Sequence, residues 1–188
     1  MEKIHSNDVT DATVTRGASH HENVNLTGFY TAKCYDKDGN LKWEDTFSNL
    51  VTTQGKNNLL DKYLAGSAYT AVWSMGLIDN DTYSAVAVGD TAAVHAGWVE
   101  ANVYTEGTRQ APTFAAASSG SKATSADVSF SINSSVTVKG AFLCSNNTKT
   151  RTTNSGANDI LYSAGLFSGG DKVLGGGDTL NVSYTASA

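Results

Sequence analysis

Residues 29–66, FYTAKCYDKDGNLKWEDTFSNLVTTQGKNNLLDKYLAG, constrain the fold more than any other stretch, because they read as a hairpin running straight into one short helix. Residues 29–35 and 41–47 are rich in aromatic and β-branched types and flank Asp36-Lys37-Asp38-Gly39-Asn40. Gly and Asn in that cluster tolerate the positive φ of a hairpin loop, so the two runs pair antiparallel. Thr52 and Thr53 are N-cap residues in kind, Leu59, Leu60, Tyr63 and Leu64 recur at helical spacing, and Gly66 supplies a C′ stop. The spacing predicts a short amphipathic helix over about 53–65, its apolar face against a sheet.

Downstream the period is that of strands. Trp73, Met75 and Leu77 alternate with Ser74 and Gly76, and residues 86–90 form a short extended piece ahead of a turn. Val99, Ala101 and Val103 face one way, with Glu100, Asn102 and Tyr104 on the outer face. Ala126, Val128, Phe130 and Ile132 alternate with polar residues, which predicts a half-buried strand. Val136, Val138, Phe142 and Cys144 are expected on one face of the next, where Gly140 marks a close backbone approach or a bulge. After a polar loop over 145–158, residues 160–167 and 180–184 repeat the pattern, separated by turns at Gly169-Gly170-Asp171 and Gly175-Gly176-Gly177-Asp178. Leu180, Val182 and Tyr184 point inward, which predicts an interior final strand. Short strands separated by turns indicate an antiparallel β-sandwich or barrel.

The 188 residues suit a single domain over 26–188 and an extended N-terminal arm over 1–25. In the arm, Ile4, Val9, Val14 and Val24 stand alone among polar residues, with neither helical nor strand period. Such a segment cannot bury enough of itself to offset its ordering entropy, so it is expected to lie on a partner chain or a neighbouring copy. Ile4, Val9 and Val14 are the expected partner-binding anchors.

Composition narrows the chemistry. The net charge of −5, from 13 basic and 18 acidic side chains, is spread along the chain, which disfavours nucleic-acid binding through phosphate neutralisation. No run approaches the ~18 apolar residues of a membrane span, and Met1 opens a polar segment, so synthesis in the cytoplasm is expected. Cys34 and Cys144 read as separate core thiols rather than a bridge. His5, His20 and His21 fall in the arm, and an extended His20-His21 pair points to opposite sides, so no metal site is expected. The Asp36–Asn40 cluster is oxygen-rich like a calcium loop but lacks the closing Glu, and turn chemistry explains it. Glu100 and Glu106 are available as a glycosidase-like pair, although carboxylates on an outer strand face are usually solvated. His95 would be the only histidine base in the folded part, and Trp43, Trp73 and Trp98 suit core or interface anchors better than a sugar platform. No catalytic residue and no cofactor are expected.

The order NLVTTQGKNNLLDKYLAGSAYTAVWSMGLI, GDTAAVHAGWVE, VTVKGAFLCSNNTK, LYSAGLFSGGDKVLGGGDTLNVSYTASA resembles a group of small tailed-phage virion proteins of the kind that decorate or cement the head. The resemblance covers residues 29–188 and leaves out the arm. It implies a β-sandwich seated on the outer surface of the capsid, stabilising the major capsid protein non-covalently and contacting neighbouring copies of itself, with a homotrimer as one arrangement. A tail-fibre, spike or adaptor module is the first alternative, since related β-modules occur in tails. A β-scaffold glycan-active enzyme is the second, and it would carry His95 hydrogen-bonded to a carboxylate in a cleft.

Overall fold

A computed structural model describes residues 25–64, 73–150 and 159–188. The arm anchors Ile4, Val9 and Val14, the arm histidines and the Gly66 stop lie outside these residues. The chain forms β1 (Thr27–Tyr35), β2 (Leu41–Val51), α1 (Thr53–Leu64), β3 (Ser74–Asp79), β4 (Glu100–Ala101), β5 (Ser121–Ala123), β6 (Val128–Ser131), β7 (Val136–Cys144), β8 (Leu161–Leu166), β9 (Lys172–Leu174) and β10 (Thr179–Ser187). The fold is a mainly β, antiparallel sandwich with one short helix.

The strand order is β4-β3-β7-β8-β2-β1-β10-β5, with β6 also on β10 and β9 also on β7. Most of β2 pairs with β1, but its last three residues, Asn49, Leu50 and Val51, pair with β8. One continuous strand therefore belongs to both layers. The hairpin forms as its sequence implies: Asp36 Oδ1 accepts the N–H groups of Asp38 and Asn40, and Gly39 sits at φ +83°. Those N–H donors, Asn40 foremost, hold the Asp36 carboxyl below its usual range.

Between the layers lies the main core. Tyr30 of β1 stacks on Phe47 at 5.4 Å and meets Tyr184 of β10 at 4.7 Å, while its hydroxyl hydrogen-bonds Ser163 of β8 at 2.8 Å. Each such buried side chain contributes roughly 1.5–3 kcal/mol relative to exposure. Leu180, Val182 and Tyr184 are buried as expected, with β1 on one side of β10 and β5 and β6 on the other. Cys34 and Cys144 are both free and buried.

A second core covers the opposite face of the β3-β7-β8 layer. There Ile78, Phe142, Cys144, Leu161 and Ala164 pack under Ala92 and Trp98, which belong to the excursion between β3 and β4. This second cover corrects three expectations. Every residue of β3 is buried, including Ser74 and Gly76, because both its faces are covered. Glu100, expected on an outer face, is fully buried, and Tyr104, expected beside it, is buried in the main core against Phe130. Val138 and Phe142 do not share a face either: Ile78 opposes Gly140 while Asp79 opposes Val138, so Lys139 is an extra residue on β7. That bulge reverses the alternation, sending Val138, Ala141 and Leu143 to the main core and Phe142 and Cys144 to the second. Gly140 is the close approach that its place in the strand suggested, since a Cβ there would stand 1.9 Å from the Gly165 carbonyl oxygen.

The helix corrects another expectation. Its Leu59, Leu60, Tyr63 and Leu64 are exposed by 41 to 84%, and Gly55 is its buried residue. Polar contacts of the first turn hold it instead. The Thr52 hydroxyl donates to the Leu161 carbonyl and accepts from the Gly55 N–H, capping the helix. Gln54 donates to the Asp159 carbonyl and accepts from Ala92 and Leu161. No helix among the described residues is long and apolar enough to cross a membrane.

Candidate functional site: an apolar groove beside the helix

Fastening α1 by its first turn leaves the apolar side of its later turns without a sheet beneath it. That side forms one wall of a groove of about 690 Å³, in which Leu59 and Tyr63 face Leu26, Trp73, Phe114 and Tyr184. Leu143, Tyr162 and Tyr184 of the main core reach its floor. Trp73 meets Tyr162 edge-on at 5.4 Å, and the Tyr184 hydroxyl accepts from Asn49 Nδ2 at 2.8 Å. Burial pushes the Tyr162 and Tyr184 hydroxyls above the ordinary phenol range, so the floor is neutral. Among the described residues the lining carries two charged side chains, Lys62 and Lys122, both cationic. Lys122 is held at the rim by the Ala115 carbonyl, 2.9 Å away. Apolar walls with a cationic rim suit an aliphatic segment bearing acidic neighbours.

The sequence-level candidates for chemistry sit elsewhere, each tied into the fold. Glu100 forms a bidentate pair with Arg109, Nε to Oε1 and Nη2 to Oε2 at 3.0 Å each, and also accepts the Thr150 N–H. Burial raises the Glu100 carboxyl and Arg109 opposes that rise. Arg109 further donates to the Asn146 carbonyl and lies over the Phe142 ring. Glu106 spends both oxygens on the Ser131 N–H, well engaged on a different strand. His95 is buried, stacked on Trp98 at 4.0 Å, with its Nδ1 3.0 Å from the Trp98 carbonyl, and burial lowers its pKa. Trp98 is core, whereas Trp43 and Trp73 flank the main core half-exposed. Among the described residues no group of three or more His, Cys, Asp or Glu converges as a metal cluster would.

Two aspartates clamp turns. Asp178 accepts Gly175 N–H and Lys42 Nζ, and these, against its burial, hold its carboxyl below the ordinary range. Its charge and burial together push the neighbouring Cys34 thiol to about 11, so that thiol stays protonated. Asp45 accepts from Ser168 and Gly169, with Lys172 at 3.4 Å, and is likewise depressed despite burial.

Sequence reasoning missed the groove as a site. Its one legible signal was the width of the apolar stripe on α1, which includes Leu60 and Leu64 as well as Leu59 and Tyr63. Leu26, Trp73 and Phe114 are brought there by tertiary folding from three separate segments, which no local pattern announces. Compared with known proteins, the chain matches no family model and no curated protein.

Proposed function

We propose that this protein is a bacteriophage capsid decoration protein that binds the outer surface of the major capsid shell and stabilises it non-covalently. The observation that carries the reading is the exposed apolar groove beside α1, a surface made for contact with another polypeptide. The motif order over 29–188 supports it, because the quoted segments supply the end of β2 together with α1, β3, β7, β8, β9 and β10 of the sandwich. A shell strained by packaged DNA fails where adjacent capsomers part. A rigid module touching two of them adds interface that must be stripped before the seam opens. Contacts through both the sandwich and the arm anchors Ile4, Val9 and Val14 act together, so individually modest contacts make a firm clamp.

Quantitative mass spectrometry of purified virions tests this: the reading requires many copies per particle. A handful of copies would instead place the chain in a tail fibre, spike or adaptor. Adding the protein to undecorated heads should raise the temperature at which filled heads release DNA.

A further inference from the structure

We propose that the groove is the seat of residues 4–14 from a neighbouring copy, with Val9 and Val14 on its apolar walls and Asp8 and Asp11 at its lysine rim. This rests on the reading of the chain as an assembling virion protein, and it names the partner of the groove. Three observations carry it.

The first is chemical fit. Among the described residues the groove offers aromatic and aliphatic walls with Lys62 and Lys122 as its charged side chains. Residues 1–25 carry Glu2, Asp8, Asp11 and Glu22 against Lys3 and Arg16, and the sequence Asp8-Val9-Thr10-Asp11 sets an aliphatic residue between two carboxylates. An apolar side chain can enter the groove while the flanking acids stay at the cationic rim.

The second is where the segment joins the body. Leu26 lines the groove, and Thr27 pairs with Ser187 at the end of β10 that also forms its edge. Each copy therefore presents the root of its arm and the groove at the same place. A head-to-tail hand-over from one copy to the next repeats a single contact and can close into a ring.

The third is length. Residues 15–23, TRGASHHEN, separate Val14 from the root and contain no large aliphatic. Nine residues span roughly 30 Å when extended, about the diameter of a small domain. A segment seated in its own groove has no use for that spacer, because the groove begins at Leu26. A segment reaching the next copy needs it.

The test uses full-length chains. Val14→Cys and Leu59→Cys are made on separate copies, mixed, and treated with a short bismaleimide; Lys122→Cys replaces the groove variant if Leu59→Cys unfolds. A covalent heterodimer is expected, and adding Val9→Asp to the arm copy should reduce its yield at least tenfold. A double variant carrying both cysteines on one chain should give mainly intermolecular products at the same concentration. Linkage confined within one chain, or no linkage to either groove position, overturns the proposal. Head binding is measured separately on the unmodified chain. Arm exchange without head binding defeats the decoration reading alone, and head binding without linkage defeats this inference alone.

Discussion

Replacing Arg109 by Met should destabilise the protein severely, and in a pH-dependent way. Arg109 and Glu100 are 2% and 0% exposed, so water cannot replace what the guanidinium provides. Its loss removes two donors at 3.0 Å from the carboxylate, leaving the Thr150 N–H at 2.9 Å and the Tyr104 hydroxyl at 3.4 Å. Removing one partner of a buried ion pair costs about 3–5 kcal/mol. For a chain of this size each kcal/mol lowers Tm by roughly 2–4 °C, which gives a drop of about 6–20 °C. Without Arg109, burial acts on Glu100 against the Thr150 N–H and the Tyr104 hydroxyl alone, so its already raised carboxyl rises further and protonation becomes the cheaper state. The penalty should therefore be largest at neutral pH and shrink as the pH falls through the raised range of Glu100. The double variant Glu100→Leu/Arg109→Met removes both charges and should recover much of the loss. A residue of about 1–3 kcal/mol remains, because the Thr150 N–H loses its acceptor and the Asn146 carbonyl keeps only the weak Cys144 thiol donor. Thermal unfolding by circular dichroism across pH, arranged as a double-mutant cycle, measures each quantity. A single variant within about 1 kcal/mol of wild type, or a penalty that grows on acidification, refutes the reasoning.

Gly140→Ala should cost about 1–3 kcal/mol or more, because its Cβ would meet backbone 1.9 Å away; chemical denaturation measures this, and a neutral substitution would mean β7 and β8 can move apart. Deleting residues 179–188 should abolish soluble folding, since β10 is paired on both sides; native-like thermal unfolding of the truncated chain would contradict it. Asp45 and Asp178 have depressed carboxyls in the folded state, so the stability they add is present above the ordinary carboxylate pKa of about 4 and is lost as pH falls through their lower folded values. Asp178→Asn should accordingly flatten the fall of Tm below about pH 4, and an unchanged acid slope would remove Asp178 from the account.

How much was legible beforehand depends on how many faces each strand buries. The β1–β2 hairpin and β10 each have one face in the main core, and their alternation of Tyr30, Ala32, Cys34 and of Leu180, Val182, Tyr184 is visible in the sequence. β3 and β7 are buried on both faces, so the period-two signal carries no inward direction, and the extra Lys139 breaks its phase. Glu100 looked solvated because its partner, Arg109, lies nine residues on and across a turn that a linear pattern does not close. In α1, helical spacing gave the element but not its orientation: Thr52 and Gln54 anchor the first turn, and Leu59 and Tyr63 face the groove rather than a sheet. The candidate site was the least legible feature, being assembled from pieces that meet only in the folded chain.

The pairing of β1 with β10 also sets how the domain answers a pull. The described chain enters at Asn25, immediately before β1, and the nine residues of β1 pair in register from Thr27 with Ser187 to Tyr35 with Thr179. A force drawn along β1 from its beginning does not peel these pairs one by one. It loads the whole ladder in shear, and β2 carries a second ladder on the other edge of the same strand. Tension arriving through residues 1–24 would thus be shared over both ladders at once, and rupture would require them to fail together.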